Sequence, residues 1–134
     1  MAHSQNTDAL VDSLERYDHL VEVGIGRRTD VAGALAARGI SVVATDVHPR
    51  AVPEGVEFVE DDVVDPHDTH YRDADAVYAL NLPPELHRPA LEVARRVDAD
   101  FLFTTLGSDQ PAVPVERVTI PGDTLYVART RVGP

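Results

Sequence analysis

Residues 21–28 read VEVGIGRR: a short apolar run carrying one acid, a Gly-x-Gly pair, then two arginines. A strand that ends in Gly-x-Gly and flows into a helix brings backbone N–H groups to the edge of an open sheet, where ligands bind. The arginines pose a question. The first turn of a helix is already the positive end of its dipole, so a cation there costs about 0.3–1 kcal/mol at low ionic strength. One answer is an ion pair of Arg27 or Arg28 with Asp30 or Glu22. The other is an anion at the sheet edge, held by the planar, bidentate guanidinium.

Outward from this stretch the chain alternates between strand and helix patterns. Residues 8–17, DALVDSLERY, place Leu10, Leu14 and Tyr17 at helical spacing, and HLVEVGI (19–25) reads as a buried strand. A helix over Thr29–Arg38 buries Val31, Ala34 and Leu35; Thr29 or Asp30 caps its start, and Gly39 suits a left-handed C-terminal cap. Further strands follow at 40–46, 56–62, 74–80 and 100–106. Between the last two, Pro83 and Pro84 open a helix whose apolar stripe is Leu86, Ala90, Val93 and Val97. VERVTI, the turn PGD and TLYVAR read as a terminal hairpin. The connections 63–73 and 107–114 have weak helical patterning. The expectation is a minimal Rossmann-like α/β fold: a mostly parallel sheet with a C-terminal β-hairpin, in three α/β/α layers. Residues 1–134 then form a single domain, with an N-terminal helix over 1–18 and a core over 19–129.

Acids fall on successive strand ends. Glu22 precedes Gly24 and Gly26, Asp46 ends the second strand, and Asp61 and Asp62 end the third. At the carboxyl edge of a parallel sheet, glycine lets the backbone approach a ligand, and a carboxylate after the second strand accepts hydrogen bonds from ribose hydroxyls. A further acid after the third strand is placed to meet an adenine amino group. The ordered set points to a nucleoside-type ligand.

With these pieces the chain resembles the class I S-adenosylmethionine-dependent methyltransferases. EVGIG (22–26) matches the glycine loop, VVATD (42–46) the ribose acid, VEDD (59–62) the adenine position, and DAVYALNLPPEL (75–86) the fourth strand and substrate-facing turn. More narrowly, EVGIGR, TD, EDD and PPELH in this order resemble a small archaeal group, uncharacterised protein family 0146, over residues 19–129. The resemblance implies a methyltransferase-like Rossmann fold and an S-adenosylmethionine site made by Glu22, Gly24, Gly26, Asp46, Asp61 and Asp62. Arg28 stands where many such enzymes have a third glycine. Leu82 and Glu85 interrupt the Asn-Pro-Pro-aromatic pattern of amino-group methyltransferases, so base methylation is not carried onto Asn81. No catalytic residue is assigned; Asn81 and His87 are the candidates, with His87 either a proton acceptor or a solvated helix position. Arg27, Arg28, Pro83 and Pro84 are the acceptor-binding candidates, although Pro83, Pro84 and Glu85 also suit a plain helix start. A dinucleotide-binding domain of NAD(P) type is the alternative, but its Gly-x-Gly-x-x-Gly fingerprint needs glycine where Thr29 stands. A non-catalytic nucleoside-binding or regulatory module is the third reading.

Composition bounds the partners. The 134 residues hold 23 acids and 12 basic residues, every one an arginine, for a net charge of −11. Dense carboxylates without lysine resemble the cytoplasmic proteins of extreme halophiles, which work where the Debye length falls to about 3 Å. Nucleic-acid binding by counterion release fades in such salt, which disfavours that partner. No stretch approaches the roughly 20 apolar residues of a membrane span, and no signal peptide is visible, so a cytoplasmic location is expected. Without cysteine there are no disulfides or thiolate metal sites. His67 and His70, with Asp65 and Asp68, could be drawn as metal ligands, but turn chemistry accounts for such a loop and no metal is expected. The expected partners are a small-molecule ligand and an unidentified acceptor, with a homodimer left open.

Overall fold

The computed structural model describes residues 2–130. Seven strands form one sheet in the order β3-β2-β1-β4-β5-β7-β6. They are β1 (His19–Glu22), β2 (Ser41–Asp46), β3 (Val56–Glu60), β4 (Ala76–Ala79), β5 (Asp100–Phe103), β6 (Glu116–Ile120) and β7 (Asp123–Ala128). The first five pair in parallel; β7 runs antiparallel between β5 and β6 and closes the expected hairpin. The chain lays β1, β2 and β3 outward in one direction, then returns to place β4 on the other side of β1. That reversal is the switch point where open α/β sheets form a crevice.

Three helices cover the sheet: α1 (Ala2–Leu14), α2 (Asp30–Ala37) and α3 (His87–Arg96). Period-2 alternation sorts the strand residues between two cores. Leu20, Ala76, Tyr78, Leu102 and Leu125 face α1 and α2, where Leu10, Leu14, Val31 and Leu35 are buried. Val21, Val77, Phe101, Phe103 and Tyr126 face α3 with Ala90, Leu91 and Ala94. Burying one such large side chain contributes about 1.5–3 kcal/mol. α1 begins earlier than its apolar spacing predicts and stops at Leu14, and Tyr17 then turns its hydroxyl to Asp100 Oδ2 at 2.8 Å.

The two thinly patterned connections carry little helix. One 3-10 turn, Asp68–His70, lies between β3 and β4, and the described residues between β5 and β6 contain none. At the end of α2, Gly39 takes φ +85°, its N–H bonds Ala36 O at 3.0 Å, and Ile40 N–H bonds Leu35 O at 3.2 Å. This is the left-handed cap the sequence predicts. At the other end Thr29 makes no side-chain cap; the Asp30 carboxylate instead accepts the Val31 N–H at 3.0 Å.

Candidate functional site

The glycine loop lies at the switch point and stays knitted to both neighbours beyond β1. Val23 N–H bonds Tyr78 O at 2.8 Å, and Ile25 N–H bonds Thr45 O at 3.0 Å. Gly24 and Gly26 have φ of +67° and +57°, a region that costs a side-chain-bearing residue roughly 1–2 kcal/mol. A Cβ added at Gly24 would meet no atom within 4 Å, so open space lies against this backbone. Across the switch point, Asn81 also takes positive φ (53°) at the end of β4. Its N–H bonds Thr104 Oγ1 at 2.8 Å, and Leu82 N–H bonds Thr104 O at 2.9 Å. Asn81 and Pro83 are exposed at this turn, while Pro84 is half-buried and opens the short 3-10 turn before α3.

The structure gives the four acids different environments. Asp46 reaches the loop directly: its Oδ2 accepts the Gly26 N–H at 2.8 Å and its Oδ1 accepts the His48 N–H at 3.0 Å. Arg50 Nε lies 3.3 Å from Oδ2. Burial pushes the Asp46 carboxyl up, but the His48 and Gly26 N–H donors and the Arg50 guanidinium outweigh it and hold it below the usual carboxylate range. Glu22 is enclosed in the sheet, with Oε1 accepting the Tyr78 hydroxyl at 2.7 Å. Its Oε2 has no hydrogen-bond partner among the described residues. Burial dominates there and raises the carboxyl to about 8, against the lowering effects of Tyr78 and Arg28. Burial and the adjacent Glu22 raise the Tyr78 phenol as well.

Asp61 and Asp62 part ways at the end of β3. Asp61 is buried, its Oδ1 2.7 Å from His67 Nδ1 and its Oδ2 accepting the Tyr71 hydroxyl at 3.3 Å. Asp62 is exposed and accepts the Val64 N–H at 2.9 Å. The structure thus ties Asp46 to the glycine loop, encloses the Glu22 carboxyl in the sheet against Tyr78, leaves Asp62 exposed at the end of β3, and turns Asp61 inward.

The double arginine divides in the same way. Arg28 Nε lies 3.2 Å from Asp30 Oδ1, and its Nη2 donates to Asn6 Oδ1 at 2.8 Å and Thr7 Oγ1 at 3.3 Å. Thr7 in turn donates to Asp30 Oδ2 at 2.6 Å. A carboxylate and two polar side chains of α1 therefore absorb the charge at the start of α2, and the same contacts dock α1 on the loop. Arg27 is exposed.

His87 corrects the expected solvated helix position. It is fully buried; Nε2–H donates to Leu82 O at 2.9 Å, and Nδ1 accepts the Ala112 N–H at 3.0 Å. With both ring nitrogens engaged and the ring packed on Phe103 (centroids 4.4 Å apart), His87 ties the turn after β4 to the segment after β5. The physical reason is the width of the buried helix face. The buried face holds His87, Ala90, Leu91, Val93 and Ala94, so it is wider than the stripe of Leu86, Ala90, Val93 and Val97: Ala90 and Val93 are buried as expected, while Leu86 and Val97 are half-buried. The i, i+3, i+4, i+7 spacing of His87, Ala90, Leu91 and Ala94 was a signal in the sequence. Tyr78 and Arg50, which complete the surroundings of Glu22 and Asp46, had no local signal: each is recognisable only from the strand it faces or the acid it reaches.

The fold has counterparts among solved structures. An RNA methyltransferase from Salinibacter ruber, crystallised with S-adenosyl-L-homocysteine, superposes with a TM-score of 0.64 at 18% identity, covering 94% of this chain and 90% of the other. The magnesium protoporphyrin IX methyltransferase of Synechocystis, with bound SAM, gives 0.64 at 13% identity, covering 94% of this chain and 78% of the other. Identities this low establish the fold: a Rossmann-like, methyltransferase-type sheet. In sequence, a UPF0146 protein of Halobacterium salinarum is 53% identical over 117 residues, spanning 87% of this chain and 91% of the relative. The pattern of that family matches residues 5–131, and the chain belongs to the uncharacterised protein family UPF0146.

Proposed function

We propose that the chain binds S-adenosylmethionine or its demethylated product, S-adenosylhomocysteine, and acts as a methyltransferase-like protein on a small or anionic acceptor. The observation that carries this reading is the Asp46–Gly26 hydrogen bond of 2.8 Å, which fixes the acid of β2 against the glycine loop. Beside it, the backbone at Gly24 borders open space. A ribose in that space has a buried, ionised acceptor in Asp46, and its hydroxyls replace the Arg50 contact. Gly24 and Gly26 present backbone to the ligand, and exposed Asp62 is the acid available to an adenine amino group. Asp61 supports the edge from behind. Glu22 precedes the loop as a buried carboxyl near its own neutral point, and a cationic ligand favours its ionised form.

Methyl transfer requires the acceptor in line with the sulfonium methyl, so the chain's contribution is positioning and exclusion of water. The acceptor enters between the glycine loop and the Asn81–Pro84 turn, with Arg27 as the accessible cation for an anionic group. His87 takes no proton in this scheme, because its ring nitrogens hold the turn. Residues 19–129 form the core of the binding unit. The acidic, lysine-free surface, together with a relative from Halobacterium salinarum, supports operation in molar salt. Calorimetry in molar KCl with S-adenosylmethionine, S-adenosylhomocysteine and NAD tests the proposal. Saturable binding of either sulfur nucleoside is expected; binding of NAD with no response to the other two would replace it with the dinucleotide reading.

A further inference from the structure

At the end of β3 the loop 61–71 gathers three potential metal-ligand atoms that belong to neither the glycine loop nor the acceptor turn. Asp61, His67 and His70 each offer one such atom, all within 4.8 Å of one another. We propose that these three residues bind a divalent transition-metal ion of the zinc class. The ligand set differs from the one that loop composition suggests. Asp68 pairs with Arg96 of α3 at 3.0 and 3.1 Å and so anchors the loop, and Asp65 N–H bonds Asp62 O at 2.9 Å.

Several features favour a metal over a simple ion pair. The Asp61 side chain is fully enclosed, and its partner His67 is 75% exposed, so a buried carboxylate faces an imidazole at the surface. His67 caps and His70 ends a 3-10 turn, whose three-residue period sets i and i+3 on one side; their rings lie 5.9 Å apart, edge to face. Two imidazoles and one carboxylate form a nitrogen–oxygen set suited to Zn²⁺ and its first-row neighbours, and not to Mg²⁺ or Ca²⁺, which prefer oxygen alone. Tetrahedral bonds of about 2.0–2.1 Å put ligand atoms roughly 3.3 Å apart. His67 is exposed and His70 half-buried, so neither ring is locked in the core. The outer contacts are already in place: Tyr71 hydroxyl donates to Asp61 Oδ2, and the His67 N–H donates to Oδ1 at 3.2 Å. Hydrogen bonds of this kind orient a ligating carboxylate. Exposure of His67 leaves the remaining coordination position toward solvent.

The test uses the full chain stripped with a chelator, in molar KCl with millimolar Mg²⁺ to occupy the surface carboxylates. Calorimetry with Zn²⁺ and visible absorption with Co²⁺ are read on the native chain, His67→Ala, His70→Ala and the control His19→Ala. One equivalent of Zn²⁺ is expected in the native chain, with the d–d bands of low-coordinate Co²⁺. Affinity should fall at least tenfold in each of the first two variants and stay unchanged in the control. Native circular dichroism in all variants makes the comparison valid, and both substituted histidines lie at or near the surface. No saturable Zn²⁺ uptake, or uptake by His67→Ala and His70→Ala equal to that of the native chain, overturns the proposal. No nucleoside enters the measurement, so its outcome is independent of the S-adenosylmethionine reading.

Discussion

The two ends of the central strands use a carboxylate for the same local task. At the amino end Asp75, just before β4, accepts the N–H groups of Asp18 and His19 at 3.1 and 3.0 Å. At the carboxyl end Asp46 accepts those of Gly26 and His48 at 2.8 and 3.0 Å. Their settings differ. The Asp75 side chain is 31% exposed and that of Asp46 is 8% exposed. The carboxyl end also holds two positive-φ glycines, a positive-φ asparagine and a buried Glu22 whose second oxygen has no hydrogen-bond partner among the described residues. Positive φ alone does not separate the two ends, since Gly39, Gly55 and Asp98 take it just before β2, β3 and β5. Buried Asp100 at the amino end of β5 is met by the Tyr17 hydroxyl. The carboxyl end differs in Glu22, a buried acid raised to about 8, which precedes a glycine loop bordering open space. A perturbed acid of this kind is what a site retains at a cost to stability.

The largest effect that can break this contrast is the pH dependence attached to Glu22. Its carboxyl is raised from 4.5 to about 8 in the folded chain, so between those values the native state binds more protons than the unfolded one. Stability from this group is full below about pH 4.5 and is lost as pH rises through about 8. The loss is on the order of several kcal/mol at about 1.4 kcal/mol per unit. Melting of native chain and Glu22→Gln, followed from pH 5 to 9 in molar KCl, isolates it because the surface carboxylates titrate alike in both. The native midpoint should fall by roughly 10 °C relative to the variant as pH rises. Parallel profiles would remove Glu22 from the list of strained groups. A cationic ligand favours the ionised carboxyl, so its binding should also release protons over the same range.

The same substitution at the two aspartates should have smaller and unequal effects. Asp46→Asn keeps an acceptor oxygen for Gly26 but loses the charge, and it should weaken S-adenosylhomocysteine binding at least tenfold while lowering the melting midpoint by only a few degrees. Asp75→Asn should leave affinity unchanged and cost about 1 kcal/mol or less, since water can reach the groups it serves. Equal effects on affinity would mean that the two ends are not functionally distinct.

How much of this was visible in the chain follows from the range of each interaction. The strands, the helices after Gly26 and Pro84, and the terminal hairpin rest on periodicities within about ten residues, and they emerge with shifted ends. The acids were legible for the same reason, since Asp46 ends SVVATD, Asp61 and Asp62 end VEFVEDD, and Glu22 interrupts an apolar run just before the glycine pair. What each acid meets was not. Adjacent Asp61 and Asp62 look equivalent until the backbone turns one inward to Tyr71 and the other to solvent. Asn6 and Arg28 meet only once α1 has packed on α2. His87 hid for a different reason: in sequence a histidine after Pro-Pro-Glu-Leu suggests a polar face, and only the full spacing with Ala90, Leu91 and Ala94 reveals a buried one.

The two arginines answer the question raised by the glycine loop. Arg28 satisfies Asp30, Asn6 and Thr7 together from a partly buried position, 22% exposed at the side chain. Arg28→Ala should therefore cost on the order of 1–2 kcal/mol, as charged hydrogen bonds do when one partner is removed. The melt should drop by several degrees, and amide exchange should rise in α1 near Asn6. Arg28→Gly restores a commoner loop glycine but loses the same contacts, so it should be no more stable than Arg28→Ala. Arg27, exposed on the same loop, should change stability by no more than about 0.5 kcal/mol when replaced by alanine. Any loss in Arg27→Ala should appear only in binding of an anionic acceptor such as a carboxylate or phosphate compound. If Arg28→Ala melts like the native chain, the contacts to α1 contribute nothing, and Arg28 instead becomes the cation facing the site. If both variants are silent in stability and in acceptor binding, high salt alone suffices to screen two cations beside a helix N-terminus, and the loop's charge has no structural or binding role.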